Sequence, residues 1–76
     1  MDNLTVLLGR LAQSERYVEQ GSESVERQRR LLAVLDRAGR DGTEARRLLA
    51  EFQEWHAMHV AERERLRKLV VDLSRP

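Results

Sequence analysis

Apolar residues recur at an interval of seven through the first half of the chain, although more than a third of all residues are charged. The row consists of Leu4, Leu11, Val18, Val25 and Leu32. A side chain that recurs every seven residues faces the same partner on successive turns of an α-helix, and the surrounding Ala, Leu, Arg, Gln and Glu favour helix. The pattern therefore predicts one long helix with a buried seam.

A second row on this helix is apolar at its ends and small or polar in its middle. Its members are Leu7, Ser14, Gly21, Gln28 and Leu35. The doubled leucines at 7–8 and 31–32 widen the stripe toward the three positions in seven that a bundle helix buries.

Gly21, followed by Ser22, leaves open a break into three helices. The apolar row nevertheless continues across this position without a change of phase, which favours an unbroken helix. Glycine within a helix is unfavourable by about 1 kcal/mol relative to alanine. We therefore expect Gly21 to face His59 near Trp55, where a missing side chain admits a large one.

Two glycines mark the end of the first helix. Gly39 and Gly42 flank Arg40-Asp41, and glycine just past a helix accepts the left-handed backbone conformation. Thr43 is predicted to be the N-cap of a second helix, with Glu44 in its first turn.

A stripe of mostly apolar and aromatic residues follows, at alternating intervals of three and four: Ala45, Leu48, Phe52, Trp55, His59, Glu62, Leu66, Leu69 and Leu73. A flanking row contains Leu49, His56, Arg63 and Val70.

These elements predict an all-α fold, an antiparallel, coiled-coil-like two-helix hairpin in a single domain, residues 1–76. The helices are expected at about 3–38 and 43–74, with a turn at about 39–42, and each is about 50 Å long. A lone hairpin leaves one side of both stripes in water. We predict a homodimeric four-helix bundle, with helices of another protein as the alternative partner. The predicted core and oligomer seam is Leu4, Leu11, Val18, Val25, Leu32, Leu35, Leu48, Phe52, Trp55, Leu66, Leu69 and Leu73.

Composition narrows the function classes. A 76-residue chain is small enough that it usually needs a disulfide, a metal or a partner subunit, and the absence of cysteine excludes disulfides and thiolate metal sites. The formal charge of +1 predicts no strong attraction to nucleic acid or membranes. The N-terminal apolar run is too short for a signal peptide, starts with Asp2 and is interrupted by Arg10. No run could span a bilayer, so we expect a cytoplasmic location.

Several segments carry a resemblance: Leu11-Ala12, Glu15-Arg16 with Val18 and Gly21, Arg27-Gln28-Arg29, Asp41 with Thr43-Glu44-Ala45, Leu48-Leu49 with Phe52, and His59 with Arg63 and Arg65-Leu66. Together they resemble a family of short, Arg-rich, all-helical proteins of alphaproteobacteria. The likeness spans roughly residues 11–66. It implies a helical hairpin from a bacterium and carries no activity, cofactor or ligand. This chain departs from the family pattern at Tyr17, where members often have histidine, and at Gly42, which separates Asp41 from Thr43.

The polar residues of the predicted seam could form a metal site or a structural layer. His56, His59 and Glu62 lie at three-residue steps near one helix face, and bundle metals are held by inward-facing His and Glu. The chain lacks the Glu-x-x-His motif of di-iron bundles, and Glu15 or Glu19 would have to complete a ligand set. We predict no metal and no cofactor. We predict instead that a polar core layer fixes register and pairing, formed by Ser14, Gln28, His59 and Glu62.

Charge is distributed unevenly. Residues 27–47, here called the basic tip, hold seven arginines and three acids, whereas residues 12–26 hold four acids and one base. Contact between the tip and phosphates makes an accessory nucleic-acid-binding protein the alternative function. Acidic neighbours favour local ion pairs instead, and the chain has no recognised nucleic-acid motif. No serine or threonine has an activating histidine neighbour. We predict a non-enzymatic protein that acts through self-association and protein–protein contacts.

Overall fold

The computed structural model describes residues 2–75, and both ends of the predicted domain, Met1 and Pro76, lie outside the described residues. Two helices, α1 (Asn3–Arg37) and α2 (Thr43–Ser74), pack antiparallel against each other. The predicted all-α two-helix hairpin is confirmed, and the helix ends agree with the expected ones to within one residue. The hairpin is a rod with extents of 59 × 16 × 13 Å.

Helix α1 is continuous from its first turn to its last, so the alternative with three helices is wrong. Asp2 is its N-cap, and the Asp2 carboxylate accepts a hydrogen bond from the backbone N–H of Thr5 at 2.6 Å. This hydrogen bond lowers the pKa of Asp2 below its ordinary value. Capping satisfies one of the N–H groups that the first turn leaves without a helical partner.

The turn that ends α1 is a Schellman motif. Gly39 has a φ of +68°, the left-handed conformation that a residue with a Cβ adopts only with strain. The N–H of Arg40 donates to the carbonyl of Leu35 at 2.9 Å, and the N–H of Gly39 donates to the carbonyl of Asp36 at 3.1 Å. The structure therefore confirms Gly39 as the stop signal of α1.

The start of α2 differs in detail from the prediction. Gly42 is the N-cap residue, and Thr43 is already the first residue of the helix. The Asp41 carboxylate accepts hydrogen bonds from the Thr43 hydroxyl at 2.7 Å and from the Thr43 N–H at 3.0 Å, which lower the pKa of Asp41. Thr43 is thus a donor in the cap and not the N-cap acceptor, because the neighbouring carboxylate is the stronger acceptor.

Gly42 lies close to the last turns of α1. A Cβ at Gly42 would lie 2.8 Å from Cδ1 of Leu32. In the observed hairpin, α2 is shifted by about one turn relative to a fold symmetric about residues 39–42. Gly21 therefore faces His56, whose Cδ2 would lie 3.0 Å from a Cβ at Gly21. The prediction that Gly21 faces His59 was wrong.

Both predicted rows of α1 face α2. Ser14, Val25 and Gln28 are buried, and the other members of the two rows are half-buried. The inward side chains of α2 alternate by four and three: Ala45, Leu49, Phe52, His56, His59, Arg63, Leu66 and Val70 are all buried or half-buried. The row predicted to flank the stripe of α2 is thus part of the seam.

Trp55 lies outside the seam between the two helices, with 67% of its surface exposed, so its predicted place in the core of the chain was wrong. Leu69 and Leu73 are exposed as well. Two rows of residues spaced seven apart, one containing Trp55 and one containing His56, lie on either side of the row that contains Phe52 and Leu66. Since both rows have helical spacing, periodicity alone does not choose between them. The small residue Gly21 opposite His56 lets the imidazole enter the seam.

The buried core of the hairpin is thin. Among the described residues, three apolar side chains are buried, Val25, Ala45 and Leu66, and only Leu66 is fully buried. The Cα radius of gyration is 17.2 Å, whereas a compact domain of this length has about 11 Å. Neither helix contains, within the described residues, a stretch long and apolar enough to cross a membrane.

Candidate protein-interaction site

The predicted polar core layer divides into two separate places. Gln28 donates from Nε2 to the carbonyl oxygen of Ala45 at 3.0 Å, close to the turn. Ser14 is buried two heptads away, about 21 Å along α1, beside a groove that His59 and Glu62 also line. The grouping of Gln28 with the other three residues was wrong, because Gln28 is level with the first turn of α2 and not with its middle.

Glu62 lies at the edge of the seam and not inside it. It is half-buried and accepts hydrogen bonds from the Arg65 guanidinium at 2.6 and 2.9 Å. Its second cation is Arg10 of the opposite helix, at 4.0 Å. The hydrogen bond from Arg65, followed by the positive charges of Arg65 and Arg10, holds the pKa of Glu62 below its ordinary value. Glu62 therefore contributes an ion pair to one edge of the hairpin.

The seam has two edges with different chemistry. We define the apolar flank as the two rows that adjoin the seam on the side of Trp55: Arg10, Tyr17, Ser24 and Leu31 of α1, and Leu48, Trp55, Glu62 and Leu69 of α2. Arg10, Tyr17, Ser24, Trp55 and Glu62 line two adjacent grooves on this side. The other three follow at heptad spacing, which keeps them on the same side of a coiled hairpin. Five of these eight side chains are apolar or aromatic, and the two charged ones pair with each other.

The opposite edge, here called the charged flank, is formed by Leu8, Glu15, Ser22, Arg29 and Asp36 of α1 and Arg46, Gln53, Val60 and Arg67 of α2. Five of these nine side chains are charged. Ion pairs connect the two helices here, from Arg67 to Glu15 at 3.7 Å and from Arg46 to Asp36 at 3.6 Å. The groove on this side is smaller, about 210 Å³. This edge has the composition of a solvated surface.

A groove of about 400 Å³ lies at mid-length of the apolar flank. Gly21 forms its floor, and Tyr17, Phe52 and Trp55 form its walls together with the two histidines. The ring centroids of Tyr17 and His59 lie 5.0 Å apart, and those of Trp55 and His59 lie 5.3 Å apart with the rings edge to face. These are favourable aromatic distances. The groove therefore combines an ordered aromatic wall with an exposed indole.

Two buried polar atoms lie near the groove or in the seam beside it. Ser14 Oγ and His56 Nε2 are buried without a hydrogen-bond partner among residues 2–75. His59 contacts aromatic rings and is not hydrogen-bonded to the Ser14 hydroxyl. Within this range no three His, Asp or Glu side chains are grouped as metal ligands would be. The chemistry that this surface offers is apolar and aromatic contact.

Four arginines of the basic tip pair with carboxylates in the tip or next to it. Arg29 and Arg30 pair with Glu26, and Arg46 pairs with Asp36. Arg47 bridges two carboxylates, donating to Glu44 and, at 2.6 Å, to Glu51. These contacts raise the pKa of Arg47 and lower that of Glu44.

The other three arginines of the basic tip, Arg27, Arg37 and Arg40, make no ion pair with a carboxylate in the described part of the chain. Four of the seven arginines thus have an acidic partner. A nucleic-acid phosphate would have to compete with these carboxylates.

Sequence reasoning missed the apolar flank as a unit. Leu48, Trp55 and Leu69 were assigned to the seam, and Tyr17 was noted only as a departure from a family pattern. The signal was present in the sequence, because Tyr17 and Leu31 are two heptads apart and Leu48, Trp55 and Leu69 also follow heptad spacing. A count over all seven heptad positions would have found this third row.

Comparison with known proteins returned no match: no protein-family model matches the chain, and no curated protein and no solved structure is significantly similar to it.

Proposed function

We propose that this protein has no enzymatic activity and acts through self-association and protein–protein contacts, with the homodimer as its folded unit. The observation that supports the proposal is the distribution of apolar side chains. Val25, Ala45 and Leu66 are the buried apolar side chains among the described residues, while Tyr17, Leu31, Trp55 and Leu69 on the apolar flank are exposed. Several large exposed apolar side chains on one edge of a protein are typical of an interaction site.

Energetics favour the same proposal. Long isolated helices depend on packing of their apolar face. In one hairpin most apolar side chains of the seam are only half-buried, so packing within a single chain is incomplete. A second hairpin would bury the half-exposed residues of both seams and the apolar flank.

Analytical ultracentrifugation across a range of about 0.1 to about 100 µM tests the proposal, since interfaces of standard size have dissociation constants of µM or tighter. We expect a dimer at the upper end. The thermal midpoint should rise with protein concentration, because association stabilises the folded state by mass action. A chain that stays monomeric and helical throughout, with one melting temperature, would contradict self-association.

The alternative function, nucleic-acid binding by the basic tip, has a narrower basis. Arg27, Arg37 and Arg40 of the basic tip have no ion pair to a described carboxylate, and they are the cations that the tip can offer to phosphates. Filter binding with duplex DNA and with RNA at low ionic strength tests this function. Retention that falls as salt increases would support it, and the absence of retention would remove it.

A further inference from the structure

We infer that a second copy of this chain covers the apolar flank, so that Trp55 of each protomer is seated in the groove of its partner. This inference rests on the proposed self-association and specifies its surface. The indole is the largest apolar side chain on the hairpin and is 67% exposed, and the groove beside it is the larger of those on the two flanks. The same surface thus holds a projecting side chain and a concave site for one.

The exposed area of the hairpin matches what such a dimer needs. The chain exposes 5805 Å², whereas a compact folded chain of this mass exposes about 4,800 Å². The excess is about 1,000 Å², close to the surface of about 800 Å² that each partner loses in a stable interface of standard size. Two rods packed side by side would have a lower ratio of length to width than one rod of 59 × 16 × 13 Å.

Symmetry explains why the occupant is a second copy. Gly21 and His56 face each other near the middle of both helices, so the groove and the Trp55 indole lie at the same level of the rod. In a twofold interface each contact occurs twice, and residues at mid-length of one protomer meet residues at mid-length of the other. A twofold axis near this level places each indole against the groove of its partner. This geometry holds for both directions in which two rods can pack.

The electrostatics of the flank permit this contact. The groove at mid-length lies between the stretch from Tyr17 to Ser24 on α1 and the stretch from Glu51 to Trp55 on α2. Glu51 lines this groove and accepts a hydrogen bond from Arg47. Farther along, Arg10 and Glu62 pair with each other across the two helices. Two facing copies therefore bring together no unpaired carboxylate among the residues that line the groove. In a dimer formed through the charged flank, the ion-paired rows of one copy would lie against the same rows of the other. Removing these charges from water would be unfavourable.

A matched pair of charge insertions tests the surface. Leu31 on the apolar flank is 47% exposed and Leu8 on the charged flank is 48% exposed, and both belong to α1. We expect Leu31→Glu to raise the dimer dissociation constant at least about 100-fold, because a buried unpaired carboxylate is strongly unfavourable. Leu8→Glu should change it less than about threefold, since a surface charge matters little. Sedimentation equilibrium measures both constants.

The single tryptophan gives a second measurement on the unchanged protein. In the dimer, Trp55 should be shielded from iodide and acrylamide, and quenching should increase severalfold on dilution below the dissociation constant. This readout does not require Leu31→Glu to stay folded. A wild-type dimer whose indole is as accessible as in the dissociated chain would overturn the assignment.

Spin labels give a third measurement. Ser24 adjoins the groove of the apolar flank and Ser22 adjoins that of the charged flank, and the chain has no native cysteine. Labels on Ser24→Cys should lie closer together within a dimer than labels on Ser22→Cys. The reverse order, or dissociation by Leu8→Glu in place of Leu31→Glu, would place the interface on the charged flank and leave self-association intact. A monomer at every concentration would instead remove the proposed function.

Discussion

The two flanks of this hairpin adjoin the same seam and have nearly the same length, yet they differ in what they present to solvent. The apolar flank carries Tyr17, Trp55 and three leucines, and its one pair of charges is internally matched. The charged flank carries five ionised side chains, and ion pairs connect its helices. A symmetric two-helix coil that functioned alone would have no reason to divide its edges in this way, because both would face water.

The difference indicates how many rows each helix must bury. Two rows in seven suffice for a pair of helices, whereas a helix in a larger bundle buries a third row. In this chain both helices carry a third row, and both third rows lie on the same edge. The inward face of the hairpin therefore extends around one side, the side on which we propose that a second hairpin packs. Substitutions in the seam and on the two flanks should therefore affect stability and association differently.

The largest effect is expected at Leu66, the most buried side chain of the seam, at 1% exposure. Replacing Leu66 with alanine should lower the free energy of unfolding by about 3 kcal/mol, since a buried Leu→Ala change costs about 2–5 kcal/mol. Urea denaturation at fixed protein concentration measures the change. Val71→Ala is the control, because Val71 is half-exposed and its truncation should cost less than about 1 kcal/mol. Similar losses for both variants would contradict a seam centred on Leu66.

A smaller effect is expected at two helical glycines. A Cβ at Gly9 would meet no atom within 4 Å, so Gly9→Ala should stabilise the protein by about 0.5–1 kcal/mol through helix propensity alone. At Gly21 the added methyl group would press on the His56 ring. We expect Gly21→Ala to gain less than Gly9→Ala in urea denaturation and to weaken dimerisation as well, because the displaced ring narrows the groove. An equal gain for both variants would show that the floor of the groove is not tightly packed.

The sequence was sufficient to predict the two helices and the rows of α1, because apolar side chains at 4, 11, 18, 25 and 32 keep one phase through Gly21. It also identified the turn, since Gly39 has the residue type that the left-handed position requires. It did not identify which edge row of α2 enters the seam. That choice depends on how the two helices pair, which places Gly21 opposite His56.

The candidate site was harder to predict for the same reason. Tyr17 and Trp55 are 38 positions apart, and only the pairing register brings them to one groove beside His59. The exchange of Trp55 for His56 in the seam follows from Gly21 lying opposite His56. Burial is a property of the paired helices, and neither helix alone determines it.

An acid titration should separate the ion pair of the apolar flank from its apolar contacts. The pKa of Glu62 is lowered by the Arg65 hydrogen bond and by nearby positive charge. A lowered pKa in the folded state means that the stabilisation is complete above the ordinary value of about 4.5 and is lost as the pH falls through the folded-state value. Glu62→Gln should therefore be slightly less stable than wild type at neutral pH and equally stable in strong acid.

Urea midpoints between pH 2 and pH 7 measure this difference. Glu23→Gln is the control, because Glu23 is exposed and makes no ion pair with any residue from 2 to 75. Its midpoint should follow that of wild type over the whole range. A Glu62→Gln variant that also follows wild type at every pH would show that the pair with Arg10 and Arg65 adds nothing to the stability of this flank.

The smallest effect is expected from salt, and it bears directly on which flank pairs. Between 0.1 M and 1 M ionic strength the Debye length falls from about 10 Å to about 3 Å, which screens exposed charges. A dimer formed through the apolar flank should change its dissociation constant less than about threefold, because apolar burial does not depend on screening. A dimer formed through the charged flank would change more, since ion pairs such as Arg67–Glu15 and Arg46–Asp36 would lie at its interface. Sedimentation equilibrium in sodium chloride measures the dissociation constant. An increase of tenfold or more in this constant would favour the charged flank, because within residues 2–75 Arg10 and Glu62 are the one ion pair between two residues of the apolar flank.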